Sequence, residues 1–407
     1  MPSEELGAPV ASLRDHRLHA PLWLLVLVTL SGTLAMHMFV PALDSAARDL
    51  HVSVAAIQST ISLYIFGLAV GQLAYGPLSD TYGRRPMLLT GLSIFTIAGF
   101  VCLTAPSVHV LIAARFAQAL GGCSGLLLGR AIVRDTCSTE ETMSRLALLQ
   151  LMAVAGPGLA PLAGSLIVAY GSWRWIFVVF IVLGLVGLAL TWHVLPETRP
   201  VHARQGRRSV AADYGELIRK PAFIGCVIGG GCSTSAFYAF VASAPFIFVG
   251  RYHEPVTHVG VYLFLLIIGI SIGYSISGRL ARRVSAAKLM LTANALTVLC
   301  SAALLIEFAV LGASSLSVVA TMFVYCVGAG MCSPVAVTKA MSIVPSVAGS
   351  ASGIFGFGQM TVGAICTALA GLGQDHAVMT ASVLLGAALL GQVGFRIALA
   401  EPRAGPR

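Results

Sequence analysis

The sequence predicts an all-α protein that crosses a membrane twelve times, in two halves of six helices. Three observations carry the prediction: composition, the length and spacing of the apolar runs, and a charged, glycine-punctuated turn wedged between two of them. Of 407 residues, 57% are hydrophobic and only 10% charged, with mean hydropathy +0.88; soluble domains carry about a quarter charged residues. The turn GPLSDTYGRRP, from Gly76 to Pro86, separates apolar runs at about 54–75 and 86–104. Each run has about the 20 residues that a spanning helix needs.

In chain order, apolar runs bounded by Gly, Pro and charge place spans at about 21–43, 54–75, 86–104, 107–129, 146–170, 174–195, 222–249, 257–280, 288–312, 316–338, 350–372 and 376–397. The first run is too long for a signal peptide and lacks a small-residue cleavage site, so it stays as span one. Basic residues set the orientation, because loops rich in Lys and Arg stay cytoplasmic. Of the 25 Lys and Arg residues, all but Arg48, Arg115, Arg174 and Arg251 fall in the even-numbered loops, at the ends facing them, or in the termini. Both termini are therefore expected in the cytoplasm, and the +9 net charge reflects topology rather than nucleic-acid binding. Cys102, Cys123, Cys226, Cys232, Cys300, Cys326, Cys332 and Cys366 lie inside spans and Cys137 at a cytoplasmic end. No disulfide framework and no CxxC metal spacing is present, and no metal site is expected.

The longest polar interruption divides the chain: a cytoplasmic segment 1–20, a six-helix bundle 21–195, a cytoplasmic linker 196–221, a second bundle 222–397 and a tail 398–407. Tyr214, Leu217 and Ile218 recur at helical spacing in the linker, compatible with a short interfacial helix or with a solvated connection. Gly76, Leu78 and Leu89 recur 202 positions later as Gly278, Leu280 and Leu291, again in a basic hairpin. Two six-helix halves with a site between them is a transporter plan. Small residues four apart let helices approach closely: Gly67/Gly71, Gly121/Gly125/Gly129, Gly156/Ala160/Gly164, Gly269/Gly273/Ser277 and Gly349/Gly353 are read as sliding surfaces for the halves, with generic tight packing as the alternative. Pro157 and Pro161 remove backbone hydrogen bonds in span five and permit bending there.

Gly76, Pro77, Leu78, Ser79, Asp80, Gly83, Arg84, Arg85 and Pro86 resemble the major facilitator superfamily signature after the second helix. Arg115, Gln118 and Gly121 are similar to its second signature, and Gly156, Pro157, Pro161 and Gly164 to its antiporter signature. IQSTISLYIFGLAVGQLAYGPLSD from Ile57, RAIVRD from Arg130, SWRWIF from Ser172, PET at Pro196 and SAPFIF from Ser243 narrow the resemblance to the Bcr/CflA branch of bacterial drug:proton antiporters, which includes bicyclomycin and phenicol exporters. The resemblance covers essentially the whole chain. It implies the major facilitator fold, an inner-membrane monomer, small-molecule substrates, protons as coupling ion and no other cofactor. It also implies a cytoplasmic gate in which Asp80 faces the start of span eleven near Ser346. The residues themselves add that Asp80 suits a helix N-terminus and that Arg84 or Arg85 can pair bidentately with Asp135.

Charge inside hydrocarbon is costly and marks candidate sites. His37, Arg115 and Glu307 qualify. Related exporters read IDMYLPALP where this chain reads MHMFVPALD from Met36 to Asp44, so His37 stands in place of a carboxylate. Imidazole suits a proton carrier, and a histidine site cycles between positive and neutral, which disfavours cationic substrates; the alternative is a packing histidine. The resemblance puts Arg115 in the cavity, tied to substrate and proton binding beside His37; the alternative is a snorkelling residue. Glu307 is a second candidate proton site or an interfacial carboxylate, and Asp44 is expected in the outer vestibule. Tyr64, Gln72, Gln118, Gln150, Phe237, Tyr238, Phe240, Phe355, Phe357 and Gln359 are the candidate cavity lining.

No HExxH, GxSxG or Walker pattern is present, so an enzyme is not expected. The function expected is proton-coupled efflux of small amphipathic drugs, with export of a metabolite, an amino acid such as cysteine, as the alternative. Membrane lipid is the expected surrounding partner.

Overall fold

The computed structural model describes residues 20–137, 139–198, 210–281, 283–312, 314–344 and 348–400. Fifteen α-helices follow in order: α1 (Leu22–His37), α2 (Leu43–Asp49), α3 (Val54–Tyr82), α4 (Arg84–Leu103), α5 (Val108–Thr136), α6 (Thr139–Tyr170), α7 (Trp175–Val194), α8 (Val210–Ile218), α9 (Pro221–Ser235), α10 (Phe237–Pro245), α11 (Val256–Leu280), α12 (Ala286–Ile306), α13 (Ser315–Ile343), α14 (Ala348–Ala370) and α15 (His376–Ala400). Among the described residues no strand occurs. Eleven helical stretches are long and apolar enough to cross a membrane, and α6, 32 residues long, completes twelve. Serine side chains start two helices in each half: Ser53, Ser107, Ser285 and Ser314 accept from the backbone N–H three residues on, satisfying donors that the first helical turn leaves free.

Helices α1–α7 form one bundle around Phe39, Phe95, Phe177 and Phe180, all fully buried. Helices α9–α15 form the other. The bundles meet along α3 against α14 and α6 against α11.

The structure corrects the sequence reading at four places. The expected turn at Gly76–Pro86 is one residue long. α3 runs through Pro77 to Tyr82, Gly83 alone turns the chain at φ +105°, and α4 starts at Arg84. Spans one and seven are interrupted rather than continuous. α1 stops at His37, a 3-10 turn (Val40–Ala42) follows, and α2 resumes the path; Ala236 separates α9 from α10, and a π-helical turn (Phe246–Arg251) ends that span. The linker contains α8, which docks on the second bundle with Leu217 fully buried against α9 and α14 instead of lying free.

The fourth correction concerns the small-residue stripes, most of which knit each half together. A Cβ on Gly67 or Gly71 would strike α5, one on Gly121 α4, one on Gly125 α1, and one on Gly269 or Gly273 α13. At the junction of the halves the close approaches belong to Gly158 and Gly260 between α6 and α11, and to Gly356 of α14 and Gly371 just after it against Gln72 and Gln58 of α3, with Gly353 lying more loosely there.

Candidate functional site

The two interrupted spans bring their breaks together. α1 ends on His37 and α10 begins next to Tyr238, and the two rings lie 6.1 Å apart across the junction of the halves. His37 is buried, 6% exposed, and its Nδ1 lies 2.9 Å from the Thr33 carbonyl oxygen. A carbonyl only accepts, so Nδ1 must carry the hydrogen and Nε2 is left as the basic nitrogen. Neither Nε2 nor the Tyr238 hydroxyl has a hydrogen-bond partner among the described residues. The position of His37 is set from α6: a side chain on Gly164 would run into the Met38 carbonyl, and one on Gly156 would meet Leu30. The antiporter-like glycines therefore seat α6 against the end of α1. Pro161 reaches the other half, its carbonyl 2.8 Å from where a Cβ on Gly260 would stand. Of Pro157 and Gln150, the side chains lie outside the described residues.

Arg115 takes Tyr64, Phe39 and Gln118 as its partners, not His37. It is fully buried within the first bundle, 4.0 Å above the Tyr64 ring and 5.1 Å from that of Phe39, and its Nη1 donates to Gln118 Oε1 at 2.7 Å. Nε and Nη2 have no partner, nor has Gln118 Nε2, and among the described residues no carboxylate pairs with it. The Tyr64 hydroxyl donates to the Gly32 carbonyl at 2.7 Å, so the guanidinium is tied to α1 through Tyr64 and Phe39. Tyr64 and Gln118 therefore line the arginine and not the junction.

The other expected lining residues divide. Gln72 meets α14 at Gly356, and Gln359 donates to Thr234 at 2.7 Å. Phe357 is half-buried on α14. Phe237 packs on Tyr238. Phe240 is buried against Phe248, and Phe355 fills the space above Gly230, both inside the second bundle.

Near the signature hairpin, Arg84 joins two carboxylates instead of gripping one bidentately: Nη1 lies 2.7 Å from Asp80 and Nε 2.9 Å from Asp135. Arg85 turns away, donating to the Trp192 carbonyl at 2.7 Å over the Trp192 ring. Glu197 completes the hairpin, accepting from the backbone N–H of Arg84 at 2.9 Å and of Arg85 at 3.3 Å. It caps α4, and the bare Cα of Gly83 is what admits it, since a Cβ there would stand 2.6 Å from its Oε2. A Cβ on Gly76 would meet nothing within 4 Å. These ion pairs lie within the first half; Ser346, the expected partner region of Asp80, lies outside the described residues.

At the opposite end the halves are closed by amide and hydroxyl groups. Gln58 of α3 donates through Nε2 to the Ala242 carbonyl and to Ser243, both at 3.2 Å, and Thr380 donates to Ser243 at 2.8 Å. Outside this closure lies a cavity of about 530 Å³ lined by Asp44, Arg251, Asp375 and His376. Asp44 pairs there with Arg48, and Arg251 with Asp375 at 3.2 Å. Glu307 is set apart, in a π-helical turn after α12, where Thr321 donates to its Oε1 at 2.5 Å and its Oε2 is buried without a partner.

The model of the Major Facilitator Superfamily matches residues 25–367. The chain belongs to that superfamily. Multidrug resistance protein D of Escherichia coli (strain K12) is 33% identical over 343 residues, covering 82% of this chain and 84% of that protein. A bicyclomycin resistance protein homolog of Haemophilus influenzae is 27% identical over 82% of this chain and 84% of its own length. Among solved structures, a D-xylose-proton symporter superposes with a TM-score of 0.72 at 15% identity, over 91% of this chain and 96% of the other; at that identity the likeness shows the fold alone. The protein is thus a multi-pass membrane transporter of this superfamily and not an enzyme, and its kinship with the Bcr/CflA-type drug transporters matches the resemblance read from its motifs.

Two polar partners went unnoticed in the sequence. Gln58 gave the same signal as Gln72, an amide inside an apolar span. Glu197 gave none, because its partner Arg84 lies 113 residues away.

Proposed function

We propose that this transporter exports small amphipathic drugs in exchange for protons by alternating access, with the hairpin end in the cytoplasm of a bacterial inner membrane and His37 as proton carrier. The protein acts as a monomer. The observation that carries the proposal is the His37 geometry: one ring nitrogen is fixed as donor by Thr33, and the other, unpartnered, is the only place on the ring for an arriving proton. The drug-resistance names of the relatives support the substrate class, and the basic hairpin end supports the orientation.

Loading Nε2 puts a positive charge at the junction, and losing that proton restores a neutral site. Substrate and proton therefore compete without a resident negative charge, which favours neutral or zwitterionic drugs over cations. The test is accumulation of phenicols, bicyclomycin, sulfonamides and fluoroquinolones in efflux-deleted bacteria expressing the chain, with and without a protonophore. Lower accumulation that the protonophore restores is expected for the wild type. His37→Ala is expected to abolish export at normal protein abundance, and His37→Asp to retain coupled export with a changed pH profile. Normal export by His37→Ala would remove the histidine from the mechanism; a protonophore without effect would remove proton drive.

A further inference from the structure

The glycine contacts relate the two halves residue by residue. A Cβ on Gly67 would meet Phe116 and Ala119, and one on Gly269 would meet Phe323 and Cys326; Gly121 abuts the Gly91 carbonyl, and Gly328 that of Ala293. Helices α3 and α4 thus correspond to α11 and α12 at an offset of 202 residues, and α5 to α13 at 207. Carried to the hairpin end, the correspondence sets Ala286 where the first half has Arg84, Ser342 where it has Asp135 and Ala281 where it has Ser79, and in sequence no acid stands at the counterpart of either carboxylate. In the first half this place is filled by the Asp80–Arg84–Asp135 ion pairs. In the second half it is a cavity of about 340 Å³, bounded by Ala281, Ala286 and Ser342 together with Tyr274, Pro334 and Lys339.

The loss of that arginine vacates the space, and the loss of both acids reverses its charge. Lys339 is half-buried in the wall. Arg279 and Arg283 border a second cavity of about 540 Å³ that shares Gly278 with the first. Among the described residues none of these three cations has an ion-pair partner. Tyrosine, proline and alanine supply an apolar wall, and the cavity opens where α11 reaches the end of its span, at the depth of lipid headgroups.

We propose that this cavity binds an anionic phospholipid, with the phosphate against Lys339, Arg279 and Arg283 and the adjoining acyl chain on the apolar wall. Cations at this depth each strengthen binding of acidic lipid by about fivefold, and a soluble anion would leave the apolar wall unused. The proposal does not depend on what the transporter exports. It is tested by native mass spectrometry of the full chain equilibrated with equal amounts of phosphatidylglycerol and phosphatidylcholine. Wild type is expected to retain phosphatidylglycerol preferentially. Lys339→Glu and the milder Lys339→Gln are expected to reduce that retention by about fivefold or more for Glu and less for Gln, and Ala286→Leu to reduce it by filling the space without changing charge. Lys220→Glu, an equal charge change at the same end of the molecule outside the cavity, is expected to leave it unaltered. Equal retention of the two lipids, or equal losses in Lys220→Glu and Lys339→Glu, would overturn the proposal. Displacement of the lipid by millimolar glycerol phosphate would overturn it in favour of a soluble-anion site.

Discussion

Arg115 is the residue whose surroundings least resemble a stable solution. A guanidinium with two unpartnered nitrogens and no acid keeps most of its desolvation cost, and two aromatic faces return about 2 kcal/mol each at most. Replacing a poorly compensated buried charge with an apolar side chain of similar volume is commonly neutral or stabilising. Arg115→Met is therefore expected to hold or raise thermal stability in detergent while lowering export, whereas Arg115→Ala, which leaves a void, is expected to lose about 2–4 kcal/mol. If Met and Ala destabilise alike, the arginine serves the fold. Outside the spans, Glu254 makes a different argument. His258 Nδ1 lies 2.6 Å from its carboxylate, and that hydrogen bond, with one from Ser315, holds Glu254 below its ordinary value of 4.5. A carboxylate stabilised in the folded state adds stability above its unfolded pKa and loses it as pH falls through the lowered one. Melting temperature measured against pH is expected to decline below about pH 4.5, less so in Glu254→Gln.

At the scale of elements, the hairpin separates two glycines that look alike in the sequence. Gly83 has φ +105° and Glu197 packed where a Cβ would be, so Gly83→Ala is expected to cost about 1–3 kcal/mol and to loosen the cap of α4. Gly76 lies within α3 with open space around it, and Gly76→Ala is expected to be neutral or to gain up to about 1 kcal/mol; melting of the two variants decides. The contrast also shows what the sequence can convey. Apolar length fixed the existence of the spans, because a helix is the local answer to lipid. It did not fix their ends, since α3, α5 and α13 overrun their apolar runs, the first two into the Asp80–Arg84–Asp135 ion pairs. Nor did it show the breaks after His37 and at Ala236, where packing against α6 and across the junction takes part. His37 and Arg115 were legible as rare polar residues in apolar spans, but their different partners were not, because Arg115 meets Phe39 and Tyr64 across long sequence separations. The aromatics were no more legible: Phe240 and Phe355 carry the same composition signal whether they face a core or a junction.

For the whole molecule, alternating access requires that one closure open as the other forms, and the closed end is held by few groups. Ser243 accepts from Gln58 and Thr380, and Gln58 also reaches the Ala242 carbonyl. Only the bonds from Gln58 cross between the halves; the one from Thr380 orients Ser243 within the second. A neutral hydrogen bond contributes about 1 kcal/mol net, so this latch amounts to roughly 2 kcal/mol, a strength that a transporter can reverse once per cycle. Gln58→Ala removes both crossing bonds. It is expected to shift the balance toward opening at the end away from the hairpin by about tenfold or more. Labelling of a cysteine introduced at Val54, in the wall of the outer cavity, by a membrane-impermeant maleimide measures that shift. Ser243→Ala is expected to shift it less, since the bond to the Ala242 carbonyl survives. Unchanged labelling in both variants would place the latch elsewhere and leave the glycine contacts of α14 and α11 to hold the halves together.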